Sequence, residues 1–298
     1  MGIFNRFKKS KENTNEIIEV KNLKKLLEFC ACKDAHIKAR NLYEAKHKPQ
    51  EFFNHHKELY NVIVYPSKHL FVGLLQHYLE ENGNLCTVDW KAGAKYFYYA
   101  LAKCGMPREI GEKINFDSME QYANESILCR LGIWLEENTE YRLFIVAHEF
   151  DDNVVLGFIP KDDMNILINL AKEIDLTIKC VNKNYAETTN CNLNEKAEEN
   201  REGFDRIYEK TDKNGECIGY LLVESKYCET GRIKLEETPL GIKMSPKWIK
   251  TILTHMPDTG ADILKAYEEG NVDTLLLITT SPNADPIKIE NPYERFGV

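Results

Sequence analysis

Residues 204–227, FDRIYEKTDKNGECIGYLLVESKY, decide how the last third of the chain folds. FDRIYEK alternates polar and apolar side chains with the period of a strand. Asn214-Gly215 is the strongest short signal for a hairpin turn, and CIGYLLVESKY returns as the partner strand. A two-residue turn pairs Lys213 with Glu216 and, further down the ladder, Asp205 with Glu224. Lys226, two residues beyond Glu224, then points to the same face.

Carboxylates directly opposed across a hairpin have Cβ atoms about 4.5–5.5 Å apart, where like charges destabilise a sheet. A cation between them removes that penalty. Mg²⁺ suits the position, because it takes oxygen ligands, keeps several waters and commonly uses one or two carboxylates together with a substrate phosphate. Lys226 beside such an ion can hold or help deprotonate an attacking water and offset charge on the phosphate. The competing reading is a solvated strand face with a salt bridge, contributing at most ~1 kcal/mol. A slip of one residue in the turn sends one acid to the other face and removes the pairing.

The segment EGFDRIYEK…YLLVESKY…GIKMSPKWI resembles the nuclease domains of bacterial polymorphic toxins, members of the restriction-endonuclease-like superfamily with a PD-(D/E)xK core. In those domains a Gly-x-Asp-x-Ile strand precedes a hydrophobic strand ending Glu-x-Lys and a helix beginning Met-Ser-x-x-Trp-Ile. The matching residues are Asp205, Glu224 and Lys226, then Met244, Ser245, Trp248 and Ile249. The similarity covers about residues 195–290. It implies a catalytic set of Asp205, Glu224 and Lys226, with Mg²⁺ or Mn²⁺ held by Asp205 and Glu224. A further acidic ligand often comes from a preceding helix, for which Glu195, Glu198 and Glu199 are candidates and Glu198 the choice. Lys243, where relatives often carry Gln, together with Lys247 and Lys250 would bind substrate, with Arg232 and Lys234 in the preceding loop.

The resemblance implies hydrolysis of phosphodiester bonds in nucleic acid, with DNA as the first substrate expected, by a toxin or defence effector. A cognate immunity or regulatory protein would be its partner. The alternative is a non-catalytic immunity-type or regulatory interaction protein that keeps a nuclease-like fold as scaffold. Relatives usually sit at the end of long secreted proteins, whereas about 180 residues precede the match here, so delivery into another cell stays open.

The remaining sequence sets the frame. The 298 residues are 43% hydrophobic and 10% aromatic, enough for about two cores. The expected class is α/β (α+β): an α/β domain of unresolved role over 20–182, a polar linker over 183–194, and a restriction-endonuclease-like domain over 195–298 whose core sheet is flanked by helices. Residues 1–19 read as a polar leader without the apolar stretch or cleavage pattern of a signal peptide, and no run reaches membrane-spanning length. A cytoplasmic protein without a membrane partner is expected. Nine scattered cysteines with no CxxC pair suit a reduced compartment. The net charge of −8 argues against a wholly nucleic-acid-binding surface, though not against a local basic groove. The aromatic run Tyr96–Tyr99 fits helix packing better than base stacking.

Overall fold

Apolar residues alternate along four segments of the first two-thirds of the chain, and each contributes a strand with two buried faces. The computed structural model describes residues 2–89, 92–147, 153–197, 203–256, 259–281 and 284–296. Strands β1 (Leu85–Asp89), β2 (Tyr141–Val146), β3 (Asn153–Pro160) and β4 (Ile178–Val181) form an antiparallel sheet in the order β1-β3-β2-β4. Leu143, Leu156, Phe158 and Val181 face one side and pack with Phe97, Leu101, Ile127 and Leu131. Phe144, Val146, Val155 and Ile178 face the other, against Leu23, Leu42, Leu74 and Leu167. Helices thus cover both faces, which makes this half a three-layer α/β unit. Tyr96 and Phe97 are buried, as the packing reading expects.

The second unit is built on strands β5 (Arg206–Thr211), β6 (Cys217–Tyr227), β9 (Val272–Thr279) and β10 (Ile287–Glu290); a short pair, β7 (Glu237–Thr238) and β8 (Gly241–Ile242), lies between. The main sheet runs β10-β9-β6-β5, with β6 and β9 parallel and the outer pairs antiparallel. The parallel pair requires a crossover, supplied by helices Pro246–His255 and Gly260–Glu268. Ser245 Oγ accepts the Trp248 amide at 3.2 Å and Pro246 takes the first helical position, so the helix starts where its capping residues place it. Trp248, Ile249, Ile252 and Leu253 then pack over Leu222, Leu276 and Ile278. The chain is therefore α/β (α+β), with helices and sheets mixed in both units.

The hairpin reaches its register by a different route from the one the sequence suggests. Asp212, not Lys213, faces Glu216, with the Asp212 amide donating to the Glu216 carbonyl at 2.9 Å, so the loop is the three residues Lys213-Asn214-Gly215. The cause is Asp212, whose Oδ1 accepts the amides of Asn214 at 2.8 Å and Glu216 at 3.0 Å, favouring a longer turn closed by Gly215 at φ 84°. That adds an offset of one residue. An irregularity at Ile218 removes it, since Thr211 pairs with Cys217 but Lys210 with Gly219, and Arg206 ends opposite Val223. Extending the ladder by one step sets Asp205 against Glu224.

Several stretches differ from their sequence reading. Of the expected leader over 1–19, residues 2–19 belong to the helix Gly2–Phe29 rather than standing apart. The expected linker holds the helix Lys183–Thr188, capped by Asn182, and its continuation docks on the helix Asn124–Asn138 through Ser126 to Asn192 O (2.5 Å) and Arg130 to Leu193 O (2.6 Å). Glu195 is extended rather than helical, its carbonyl accepting the Ala123 amide at 2.9 Å. Strand β3 is formed by the apolar run NVVLGFIP. Residues 62–64 meet a distant partner through one isolated bridge, Ile63 with Arg232: Val64 N donates to Gly231 O at 2.8 Å and Ile233 N to Val62 O at 2.7 Å. This backbone ladder joins the two units. No described helix is long and apolar enough to cross a membrane.

Gly219 marks the tightest approach in the second sheet. Its φ of 151° belongs to glycine, and a Cβ there would collide with the Asn271 carbonyl oxygen, which accepts the next amide, Tyr220 N, at 3.0 Å. Gly219→Ala is expected to destabilise the chain by about 1–3 kcal/mol in urea denaturation. Unchanged stability would show that the β6 to β9 junction tolerates a side chain.

Candidate functional site

Strand β6 passes from core to charge along one face. Leu222, Glu224 and Lys226 alternate on it, and all three are buried, with Glu224 only 2% exposed. A buried carboxylate demands partners, because desolvation disfavours its charge. One oxygen finds them: Glu224 Oε1 lies 2.5 Å from Lys243 Nζ and 3.7 Å from Lys226 Nζ. The other, Oε2, is buried with no hydrogen-bond partner among the described residues. Asp205 stands opposite, its Oδ2 accepting the Ser225 amide at 2.7 Å. Burial, together with the charge of Asp205, raises the Glu224 pKa despite the two lysines.

Lys243 enters by an unusual backbone turn. The Ser245 amide donates to Ile242 O at 2.9 Å, and Met244 adopts φ 64°, sparsely occupied by residues other than glycine. The turn lets Lys243 and Met244 both point inward, to the charged site and the apolar core respectively. Lys243 therefore precedes the helix instead of opening it. Lys247 and Lys250 are exposed, Lys250 lying 3.5 Å from Glu268, so the three lysines expected to bind substrate together are split between the buried site and the surface. Arg232 and Lys234 are likewise committed, both to Glu80 Oε2 at 2.6 and 2.8 Å. Burial would raise the Glu80 pKa, but these cations hold it at about 2. Glu198 and Glu199 lie outside the described residues.

Two further acids reach the site that the sequence reading did not select. Asp89, the last residue of β1, is 4% exposed, and its Oδ2 binds Lys226 Nζ and, at 3.2 Å, Lys243 Nζ. Glu236 Oε1 accepts the Asp89 amide at 3.0 Å, and Asn124 donates to the Asp89 carbonyl at 2.9 Å. Burial and the neighbouring Asp89 charge raise Glu236 to about 7, while the surrounding carboxylates raise both lysines against the effect of burial. The only signal for Asp89 in the sequence is a strand, LCTVD, that ends apolar-to-acidic as YLLVESK does.

Residues 22–181 match the family model described as Domain of unknown function (DUF6630). The chain belongs to the DUF6630 family. No curated protein and no solved structure matches it. The match ends at the last residue of β4, so the DUF6630 domain is the N-terminal three-layer unit and supplies Asp89, whereas Asp205, Glu224, Lys226, Glu236 and Lys243 lie beyond the match.

The donor set accommodates a hard cation. Asp89, Glu224 and Glu236 surround two ammonium groups and Asp205 adds a further carboxyl near Glu224, leaving excess negative charge when all are ionised, and Glu224 Oε2 is an oxygen without a donor. Among the described residues no three of His, Cys, Asp and Glu converge as a complete metal cage, so an ion on Asp205 and Glu224 would take its other ligands from water and phosphate, as Mg²⁺ does.

Glu236 offers a pH test of this electrostatic picture. Its folded pKa, about 7, exceeds the ordinary value of 4.5, so its stabilising contribution is complete below 4.5 and is lost as pH rises through 7. Glu236→Gln, which cannot ionise, is expected to gain on the order of 1–3 kcal/mol relative to wild type between pH 5 and pH 8 in urea titrations. Parallel stability profiles would contradict the shift.

Proposed function

We propose that the C-terminal unit is a Mg²⁺-dependent phosphodiester hydrolase acting on nucleic acid, with DNA as its first expected substrate. The observation that carries this reading is Glu224, a buried carboxylate at the end of a core strand with one oxygen unpartnered, set across the hairpin from Asp205. The PD-(D/E)xK resemblance adds the order of strand, Glu-x-Lys strand and Trp-Ile helix, which the fold follows in β5, β6 and Pro246–His255.

In this mechanism Asp205 and Glu224 would hold Mg²⁺ or Mn²⁺. When bound, the ion stabilises charge on the phosphate and acidifies a coordinated water. Lys243 Nζ, 2.5 Å from Glu224 Oε1, fixes the orientation of that carboxylate and leaves Oε2 for the ion. Lys226 is on the same strand face with its ammonium 3.7 Å from Glu224 Oε1, within reach of a water at the same point. Raised above the usual lysine value, it stays protonated, and so it orients the water and neutralises developing phosphate charge rather than removing the proton itself. A cavity of about 40 Å³, bordered by Asp89, Lys226, Arg232 and Glu236 but not by Asp205 or Glu224, has room for roughly three waters next to Lys226.

A toxin or defence effector is the biological role that fits such an activity. The second reading, an immunity-type or regulatory interaction protein, is favoured by one observation: the Lys226 ammonium is engaged by Asp89 beneath the DUF6630 domain.

With Mg²⁺ the full-length protein is expected to nick or linearise plasmid DNA, and Glu224→Gln or Lys226→Ala to lower the rate at least about 100-fold, as expected for loss of an electrostatic catalytic group. Plasmid and RNA left equally intact by the wild type, both variants and the Asp89→Asn chain would refute hydrolysis and leave the scaffold reading.

A further inference from the structure

The hydrolytic reading places Lys226 next to a substrate phosphate and Lys243 beside it on Glu224, and both ammonium groups are bound by the same carboxylate oxygen, Asp89 Oδ2. A carboxylate shared by two ammonium groups at hydrogen-bond range makes the kind of contact a phosphate oxygen would make. Asp89 comes from the DUF6630 domain, whereas the lysines come from the C-terminal unit. Its placement is fixed from three sides: it ends β1, its amide is held by Glu236, and its carbonyl by Asn124.

The same contact closes the site. Glu224 is 2% exposed, Lys243 7% and Lys226 8%, so a nucleic-acid backbone cannot reach them in this arrangement. Around Asp89 the units are clamped by the 62–64 to 231–233 backbone ladder, by Arg232 and Lys234 on Glu80, and at the rim by Lys103 and Tyr99 on Glu237. Glu224 Oε2 remains unpartnered under this cover, although four carboxyl groups share the space.

We propose that the DUF6630 domain is an intramolecular substrate mimic: the Asp89 carboxylate occupies the position of a substrate phosphate on Lys226 and Lys243 and keeps the C-terminal site shut until the two units separate. This rests on the hydrolytic reading for the identity of the substrate. It assigns to the family domain an interaction surface whose partner is the lysine pair of the second unit, Lys226 and Lys243.

The test uses the full-length chain and two readouts: fluorescence anisotropy with a labelled single-stranded DNA oligonucleotide in the absence of divalent metal, and plasmid cleavage with Mg²⁺. Asp89→Asn keeps the shape and removes the charge, and is expected to bind the oligonucleotide at least about 10-fold more tightly than wild type and to cut at least about 10-fold faster. Adding Lys226→Ala to Asp89→Asn should abolish the gain in binding; a gain that persists overturns the mimic, because the binding is then elsewhere. Lys103→Glu, at the exposed rim, repels Glu237 and loosens the same interface without altering its interior, so it decides the matter if Asp89→Asn does not fold, with a gain of about 3-fold expected. No gain in binding by either folded variant refutes the proposal. Tighter binding without cleavage by any chain upholds the mimic and removes hydrolysis, whereas cleavage by wild type that neither variant accelerates removes the mimic and keeps hydrolysis.

Discussion

A carboxylate at the end of a core strand cannot stand alone, and Glu224 is such a group. Its burial disfavours the charge that its position requires, and the surrounding chain answers with cations from two directions. Lys226 lies on its own strand, two residues on. Lys243 arrives from the turn before the Trp248 helix, through a left-handed Met244 that aims consecutive side chains at the site and the core. The two ammonium groups in turn require anions, and Asp89 supplies one from the other half of the molecule. The site and the contact between the units are thus parts of one buried charge network, in which removing a single member leaves an uncompensated neighbour.

That network explains why the units meet where they do. The 228–237 segment leaves the C-terminal sheet, pairs its backbone with residues 62–64 and sends Arg232 and Lys234 to Glu80 of the family domain. Arg232 and Lys234, two of the basic residues that sequence alone offers as phosphate contacts, are therefore spent on holding the units together. What is left facing the unpartnered Glu224 oxygen is a mixed arrangement of acids and ammonium groups, with the Asp89 carboxylate already seated on both ammonium groups.

Much of the fold was legible because burial leaves periodic marks. The alternation of FDRIYEK and YLLVESK, the Ser245-Pro246 helix start and the apolar β9 all have local causes, and each element forms where those causes put it. The register of the two strands was read correctly as far as Arg206 opposite Val223, one step short of Asp205 and Glu224, from a turn that is wrong in detail, because the Asp212 turn and the Ile218 irregularity are offsets of one residue with opposite sign. Asp89 and Glu236 were not legible, since their importance arises only when β1 and the 228–237 segment meet across more than a hundred residues. The inward turn of Lys243 was missed for a related reason: helical spacing relates it to Lys247 and Lys250 only if the helix begins before Ser245, and the cap forbids that.

The central claim is that the unpartnered oxygen of Glu224 belongs to a divalent cation. Calorimetric titration of Mn²⁺ into the full-length protein tests it without depending on turnover. The account predicts one saturable site that disappears in Glu224→Gln while the fold, followed by circular dichroism, is retained. Absence of Mn²⁺ binding to the wild-type chain, or binding undiminished by Glu224→Gln, would contradict it.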